Sequence, residues 1–161
     1  MTVENNLPKV SVLFVCLGNY CRSPMAHAVF QEEVRKQGLE HLFDTIDSAG
    51  TGHWHVGSTP DSRTMQTLHS HGVKFHHIGR KLRKIDFDQF DYIFGMDHSN
   101  IRNIEKVRPK DSKARVLLFG EYRSPGVQRI VDDPYYGGDQ GFEICYQQLI
   151  DFSKNFLESL K

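Results

Sequence analysis

Residues 14 to 24 read FVCLGNYCRSP, placing two cysteines, an arginine and a serine within one short turn. Three chemistries fit those residue types: a metal clip, a redox pair, or a cradle around a nucleophile. The segment lies between an apolar run, VSVLFV at 10–15, and a stretch whose apolar residues recur at helical spacing. A strand-to-helix turn of that kind gathers backbone N–H groups and a helix N-terminus around one point, which makes an anion site. Arg22 adds a planar, permanently charged fork that suits phosphate oxygens. The same field favours the thiolate form of Cys16, and Ser23 is placed to hydrogen-bond that sulfur during attack and departure. Gly18 and Asn19 tolerate the positive φ that a tight, inward-pointing loop requires.

A free cysteine after a buried strand is ordinarily a small apolar residue. Its company reverses that reading: Cys, five residues, Arg and Ser give a nucleophile and an oxyanion clamp a shared centre. Zinc needs two ligands beyond the Cys16 and Cys21 pair, and although His53 and His55 are of the right type, Cys16 would then be a closed ligand. No metal or cofactor is expected. Neither G-x-G-x-x-G nor G-x-x-x-x-G-K-[ST] occurs, so nucleotide binding of those two kinds has no support. Far along the chain, Asp133 precedes Pro134, which biases it to an extended conformation; by itself Asp-Pro marks a turn.

The elements that position these residues follow from periodicity. VSVLFV is nearly unbroken in apolarity, as in a strand buried on both faces. A helix follows it, with Ser23 as a cap, Pro24 in the first turn, Ala26, Val29, Phe30 and Val34 on its inner face, and Gly38 at its end. The pattern repeats as strand 44–49, helix 60–72, strand 91–96, helix 99–107 and strand 114–119, then a long closing helix over about 141–160. That helix carries Phe142, Cys145, Leu149, Phe152, Phe156 and Leu160 on one stripe. Strands alternating with helices predict a doubly wound α/β domain with a parallel sheet covered on both faces. Ligands in such sheets bind beyond the carboxyl ends of the strands. The segments leaving those ends, 16–23, 50–59, 97–99 and 120–140, contain most of the unusual chemistry.

Composition bounds the rest. A chain of 161 residues, 39% hydrophobic, supports one domain spanning 1–161. Twenty basic and twenty acidic side chains cancel, so the footprint of a nucleic-acid binder is absent and any positive potential is local. The N-terminus, MTVENNLPK, is polar and includes Glu4, and no stretch approaches the ~20 apolar residues of a membrane span. Three cysteines form no disulfide framework. A soluble, unprocessed protein of the cytosol is expected.

VLFVCLGNYCRSPMA together with VDDPYYGG resembles the low-molecular-weight protein tyrosine phosphatases, as do IDSAGTGHWHVG, FDYIFGMD and the closing helix. The resemblance implies a four-stranded parallel sheet in the order 2-1-3-4, a phosphocysteine intermediate on Cys16, and action on phosphotyrosine proteins and small aryl phosphates without a metal. It assigns Arg22 to the phosphate and Asp133, rather than Asp132, to general acid and then general base. Leu17, Gly18, Asn19, Tyr20, Cys21 and Ser23 would contact substrate, with Leu17 at the base of a slot walled by Trp54, Tyr135 and Tyr136. Asn19, Ser23, Ser48 and His77 match positions that hold the loop, and Asp97 would brace Arg22. Cys21 is read either as a packed residue or as the partner that captures an oxidised Cys16; Cys145 belongs to the core. His27 stands where relatives commonly have Glu, which alters the bracing of His77. Arsenate reduction needs a further cysteine between Cys21 and Cys145, and there is none; a mere phosphate sensor would lack Asp133. A monomer is expected, with a weak dimer through Tyr135 and Tyr136 as the alternative.

Overall fold

The computed structural model describes residues 8–161; the polar N-terminal stretch with Glu4 lies mostly outside the described residues. Four strands, β1 (Val10–Cys16), β2 (Phe43–Gly50), β3 (Tyr92–Gly95) and β4 (Arg115–Leu118), form one parallel sheet in the order β2-β1-β3-β4. The expected order is therefore observed. Crossovers are made by α1 (Arg22–Lys36) and α2 (Ser62–Ser70), then by the short α3 (Asp86–Gln89) and by α4 (His98–Val107); α5 (Asp139–Ser159) closes the chain.

The period of two in β1 decides where its side chains go. Val12, Phe14 and Cys16 enter the core shared with α1 and α5, whereas Leu13 and Val15 join Ile93, Phe87, Phe90 and Ile104 on the other face. On the first face Phe14, Phe30, Phe94 and Phe119 pack with ring centroids 4.8–6.5 Å apart, within the range of favourable tilted and edge contacts. Cys145 is buried there too, and burial pushes its thiol up to about 12. Chain reversal after β1 leads first to β2 on one side and later to β3 on the other. The crevice at the carboxyl end of β1 is thus the switch point of strand order, where such sheets take ligands.

Several local expectations are corrected. Ser23 does not cap α1: it lies inside the first turn, the N-cap position is Cys21, and no side chain caps there. The Ser23 hydroxyl is instead used by tertiary partners. Helix α2 is capped by Asp61, which accepts from Arg63 N–H, and α4 by a capping box of Asp97 and Asn100. Strand β4 stops at Leu118, and Phe119–Tyr122 forms a 3-10 turn, as do Glu40–Leu42 and Pro134–Tyr136. Among the described residues no helix is long and apolar enough to cross a membrane.

Candidate active site

Loop 16–21 turns between β1 and α1 with Asn19 at φ 52°, the sole non-glycine positive φ among the described residues. Its amide side chain is the centre of the loop's bracing. Asn19 Nδ2 donates to Ser23 Oγ at 2.8 Å and to Ser48 Oγ at 3.1 Å, and Asn19 Oδ1 accepts from the Arg80 backbone N–H at 3.1 Å and lies 2.8 Å from His77 Nε2. Ser23 Oγ in turn lies 3.1 Å from Cys16 Sγ. A Cβ at Gly50, the last residue of β2, would stand 2.8 Å from the carbonyl carbon of Gly18, so only glycine lets the loop seat against the sheet. That requirement has no signature in the sequence of β2.

Arg22, 3% exposed, donates to Asp97 Oδ2 at 2.6 Å and to the Val131 carbonyl at 3.0 Å. Burial opposes its charge, but Cys16, Asp97 and Asp133 outweigh that and hold the guanidinium firmly protonated. Asp133 Oδ2 approaches Arg22 Nη2 at 3.8 Å, while its Oδ1 accepts from Tyr135 N–H at 3.0 Å. Asp132 is exposed and accepts from the Gln128 amide instead. Of these two neighbouring carboxylates, that of Asp133 faces the arginine.

These groups share a pocket of 430 Å³ lined by Cys16, Leu17, Gly18, Tyr20, Cys21 and Arg22 from the loop, Trp54 and His55 from the segment after β2, and Asp133, Tyr135 and Tyr136 from the segment after β4. Asn19 and Ser23, expected to touch substrate, are 1% and 0% exposed and are not among the residues lining the pocket. Leu17, expected at the base of the slot, lines the pocket and is 42% exposed. Ser48 and His77 meet the Asn19 side chain, and Asp97 meets Arg22. His27 joins them, its Nδ1 3.0 Å from Ser48 Oγ.

Three contributors escaped the sequence reading. The His55 ring lies parallel on Tyr20, centroids 3.8 Å apart, and forms part of the wall. Asp61 Oδ2 accepts weakly from Cys21 Sγ at 3.7 Å; burial, then Asp61, pushes the Cys21 thiol well up, so it stays protonated at neutral pH. The Val131 carbonyl fixes Arg22 from a position 109 residues later. His55 was weighed only as a zinc ligand beside His53, and the other two had no local signal.

A thiol at the floor of a backbone-lined anion cradle, a buried guanidinium beside it and a carboxylate from a facing loop define a cysteine-dependent phosphomonoester hydrolase on a doubly wound sheet. A sequence model described as low molecular weight phosphotyrosine protein phosphatase matches residues 11–161, and the chain belongs to that family. It is similar to the low molecular weight phosphotyrosine protein phosphatase of Schizosaccharomyces pombe, 64% identical over 94% of this chain and 97% of the relative. Among solved structures it resembles a protein tyrosine phosphatase from Entamoeba histolytica, 36% identical, TM-score 0.89, covering 94% of this chain and 97% of that one. A Drosophila arginine phosphatase is also similar, 40% identical, TM-score 0.86, covering 93% and 97%. The chain is a phosphatase that works through a cysteine.

Proposed function

We propose that the chain hydrolyses phosphotyrosine in proteins, and small aryl phosphates, with Cys16, Arg22 and Asp133 as the reacting set. The Cys16 thiolate attacks phosphorus, the bond from phosphorus to the phenolic oxygen breaks, and Asp133 gives that oxygen its proton. Water then attacks the phosphocysteine, Asp133 takes the proton, the sulfur–phosphorus bond breaks and inorganic phosphate leaves. Arg22 and the loop N–H groups stabilise the equatorial oxygens throughout. Ser23 hydrogen-bonds the departing sulfur. Tyr20 on His55, Trp54, Tyr135 and Tyr136 wall the space above the cradle for an aryl ring.

The observation that carries this reading is the convergence of Cys16, Arg22 and Asp133, from two separate loops, on one pocket floor. Of the two cysteines in the loop, Cys21 is held protonated against Asp61, which leaves Cys16 as nucleophile. The same contact suits Cys21 to a protective role: when peroxide has converted Cys16 to a sulfenic acid, Asp61 takes the Cys21 thiol proton, the Cys21 sulfur attacks the Cys16 sulfur, the sulfur–oxygen bond breaks, and the departing hydroxide takes that proton and leaves as water, giving a disulfide. The three free cysteines support a reducing, cytosolic home, where the chain acts as a monomer. Acid quench during turnover of an aryl phosphate, followed by peptide mass spectrometry, tests the scheme. Phosphate on the peptide containing Cys16 is expected; phosphate on another residue, or a burst of phenol with no labelled peptide, would refute it.

A further inference from the structure

The two loops that meet at the pocket are joined from outside it by one ion pair at the start of α2. Asp61 is buried, and its backbone N–H donates to the Tyr20 carbonyl at 2.9 Å; Thr64 Oγ1 donates to the Cys21 carbonyl at 3.2 Å. The start of α2 is thereby fastened to the catalytic loop. Arg63 takes up both carboxylate oxygens of Asp61, with Nε 3.1 Å from Oδ1 and Nη2 2.9 Å from Oδ2. A planar fork gripped along one edge has little freedom left, and its third nitrogen, Nη1, is free to serve another acceptor.

That acceptor is the Tyr135 carbonyl, 3.4 Å away, and among the described residues Arg63 is the sole side-chain donor to the turn Pro134–Tyr136. The guanidinium carbon also stands 5.2 Å from the centroid of the Tyr135 ring and 4.6 Å from that of Phe142, a buried residue of α5. At such distances a cation is attracted to an aromatic face. Tyr135 in turn orients the acid. Its N–H is donated to Asp133 Oδ1 at 3.0 Å, which commits that oxygen as an acceptor and leaves Oδ2, the oxygen facing Arg22, to carry the proton. Arg63 itself does not line the pocket.

We propose that Arg63 is a positioning residue for the general acid: clasped by Asp61 beside the catalytic loop, it holds Tyr135, and through Tyr135 it sets the Asp133 carboxyl where the leaving oxygen can take its proton. The proposal rests on the mechanism above, with Asp133 as acid. Proton transfer in the transition state requires donor and acceptor within hydrogen-bond reach, and a small misplacement from outside the reacting set is enough to slow it. The grip on Tyr135 is long, and the Arg63 side chain is 33% exposed. Its loss should therefore cost a fraction of what the acid supplies, and should be felt only where the acid is needed.

The single-turnover rate of Cys16 phosphorylation against leaving-group pKa tests this in Arg63→Ala and Arg63→Lys. Arg63→Ala should be slower by about tenfold for poor leaving groups and by less than about twofold for activated phenols, whose oxygen departs without a proton. An ammonium cannot clasp both oxygens of Asp61 and also reach Tyr135, so Arg63→Lys, which keeps the charge and the stem, should show the same steepened dependence. Added to Asp133→Ala, Arg63→Ala should cost nothing further, because the group it positions is gone. Both Arg63 variants should bind vanadate as wild type does. An arginine with a merely structural role would slow all leaving groups alike and would add its loss to that of Asp133→Ala. Either of those results, a wild-type dependence in Arg63→Ala or Arg63→Lys, or loss of vanadate binding in both, would overturn the proposal. An unchanged dependence in Asp133→Ala would overturn the acid assignment and this proposal with it, whereas a steepened one there beside a wild-type one in Arg63→Ala would overturn this proposal alone.

Discussion

In the loop after β1, Asn19 and Ser23 are buried and their side chains bond inward, to each other, to Cys16, Ser48 and His77, and to the Ala49 and Arg80 backbone. Across the pocket, the segment with Asp133 is anchored at its start by the Val131 N–H on the Met96 carbonyl at 3.0 Å. Beyond that it has the Arg22 contacts to the Val131 carbonyl at 3.0 Å and to Asp133 at 3.8 Å, the Asp133 turn and a long contact of 3.4 Å from Arg63 to the Tyr135 carbonyl, and Tyr136 is 85% exposed. The difference matches the two tasks. Charge on a transferring phosphoryl group is best met by dipoles that need no reorganisation. A proton donor that later becomes a base must adapt to a leaving phenol and then to water, which suits a lightly held segment.

The comparison breaks most severely at the nucleophile. Cys16→Ser should abolish turnover while vanadate still binds, since the cradle is backbone plus Arg22; retention of a tenth of normal activity would remove Cys16 from its role. A smaller effect separates bracing from contact. Asn19→Ala should lower kcat by about 10–100-fold with little change in KM for an aryl phosphate, as for a group that orients without touching substrate; a loss confined to KM would place Asn19 in the pocket after all.

The same bracing carries a pH signature. His27 is held neutral when folded, with its value lowered from the ordinary 6.5 to about 4, so the unfolded chain takes up its proton first. The stability from this site is complete above pH 6.5 and is lost as pH falls toward 4, to the extent of roughly 3 kcal/mol. Urea unfolding across that range should show the decline, and His27→Gln should flatten it. An equal decline in the variant would show that other groups dominate. The mildest difference concerns oxidation. Peroxide-treated wild type should regain activity with thiol and contain a Cys16–Cys21 bridge, whereas Cys21→Ser should recover less; equal recovery of both would remove Cys21 as the trap.

What the sequence disclosed follows the reach of each interaction. Cys16 and Arg22 were legible because nucleophile and clamp lie in one turn whose flanking strand and helix have clear periods. Strand order and the choice of Asp133 over Asp132 came through resemblance, since no local pattern separates the two aspartates. Ser23 was misread as a cap: serine before an apolar helical run is ordinarily one, and its partners, Cys16 Sγ and the Ala49 carbonyl, exist only once β1 and β2 are paired. The stacking of His55 on Tyr20 and the hold of Asp61 on Cys21 are likewise tertiary. The 3-10 turn over Pro134–Tyr136 is too short to leave a period.

The lightly held acid is the centre of the account, and its test is the single-turnover rate of Cys16 phosphorylation against leaving-group pKa for wild type, Asp133→Ala and Asp132→Ala. Loss of a proton donor should slow poor leaving groups by about 10²–10⁴-fold and activated phenols far less, which steepens the dependence. Asp132→Ala, whose carboxylate meets Gln128 and solvent, should follow wild type. Parallel lines for wild type and Asp133→Ala, or the larger defect in Asp132→Ala, would contradict the assignment of the acid.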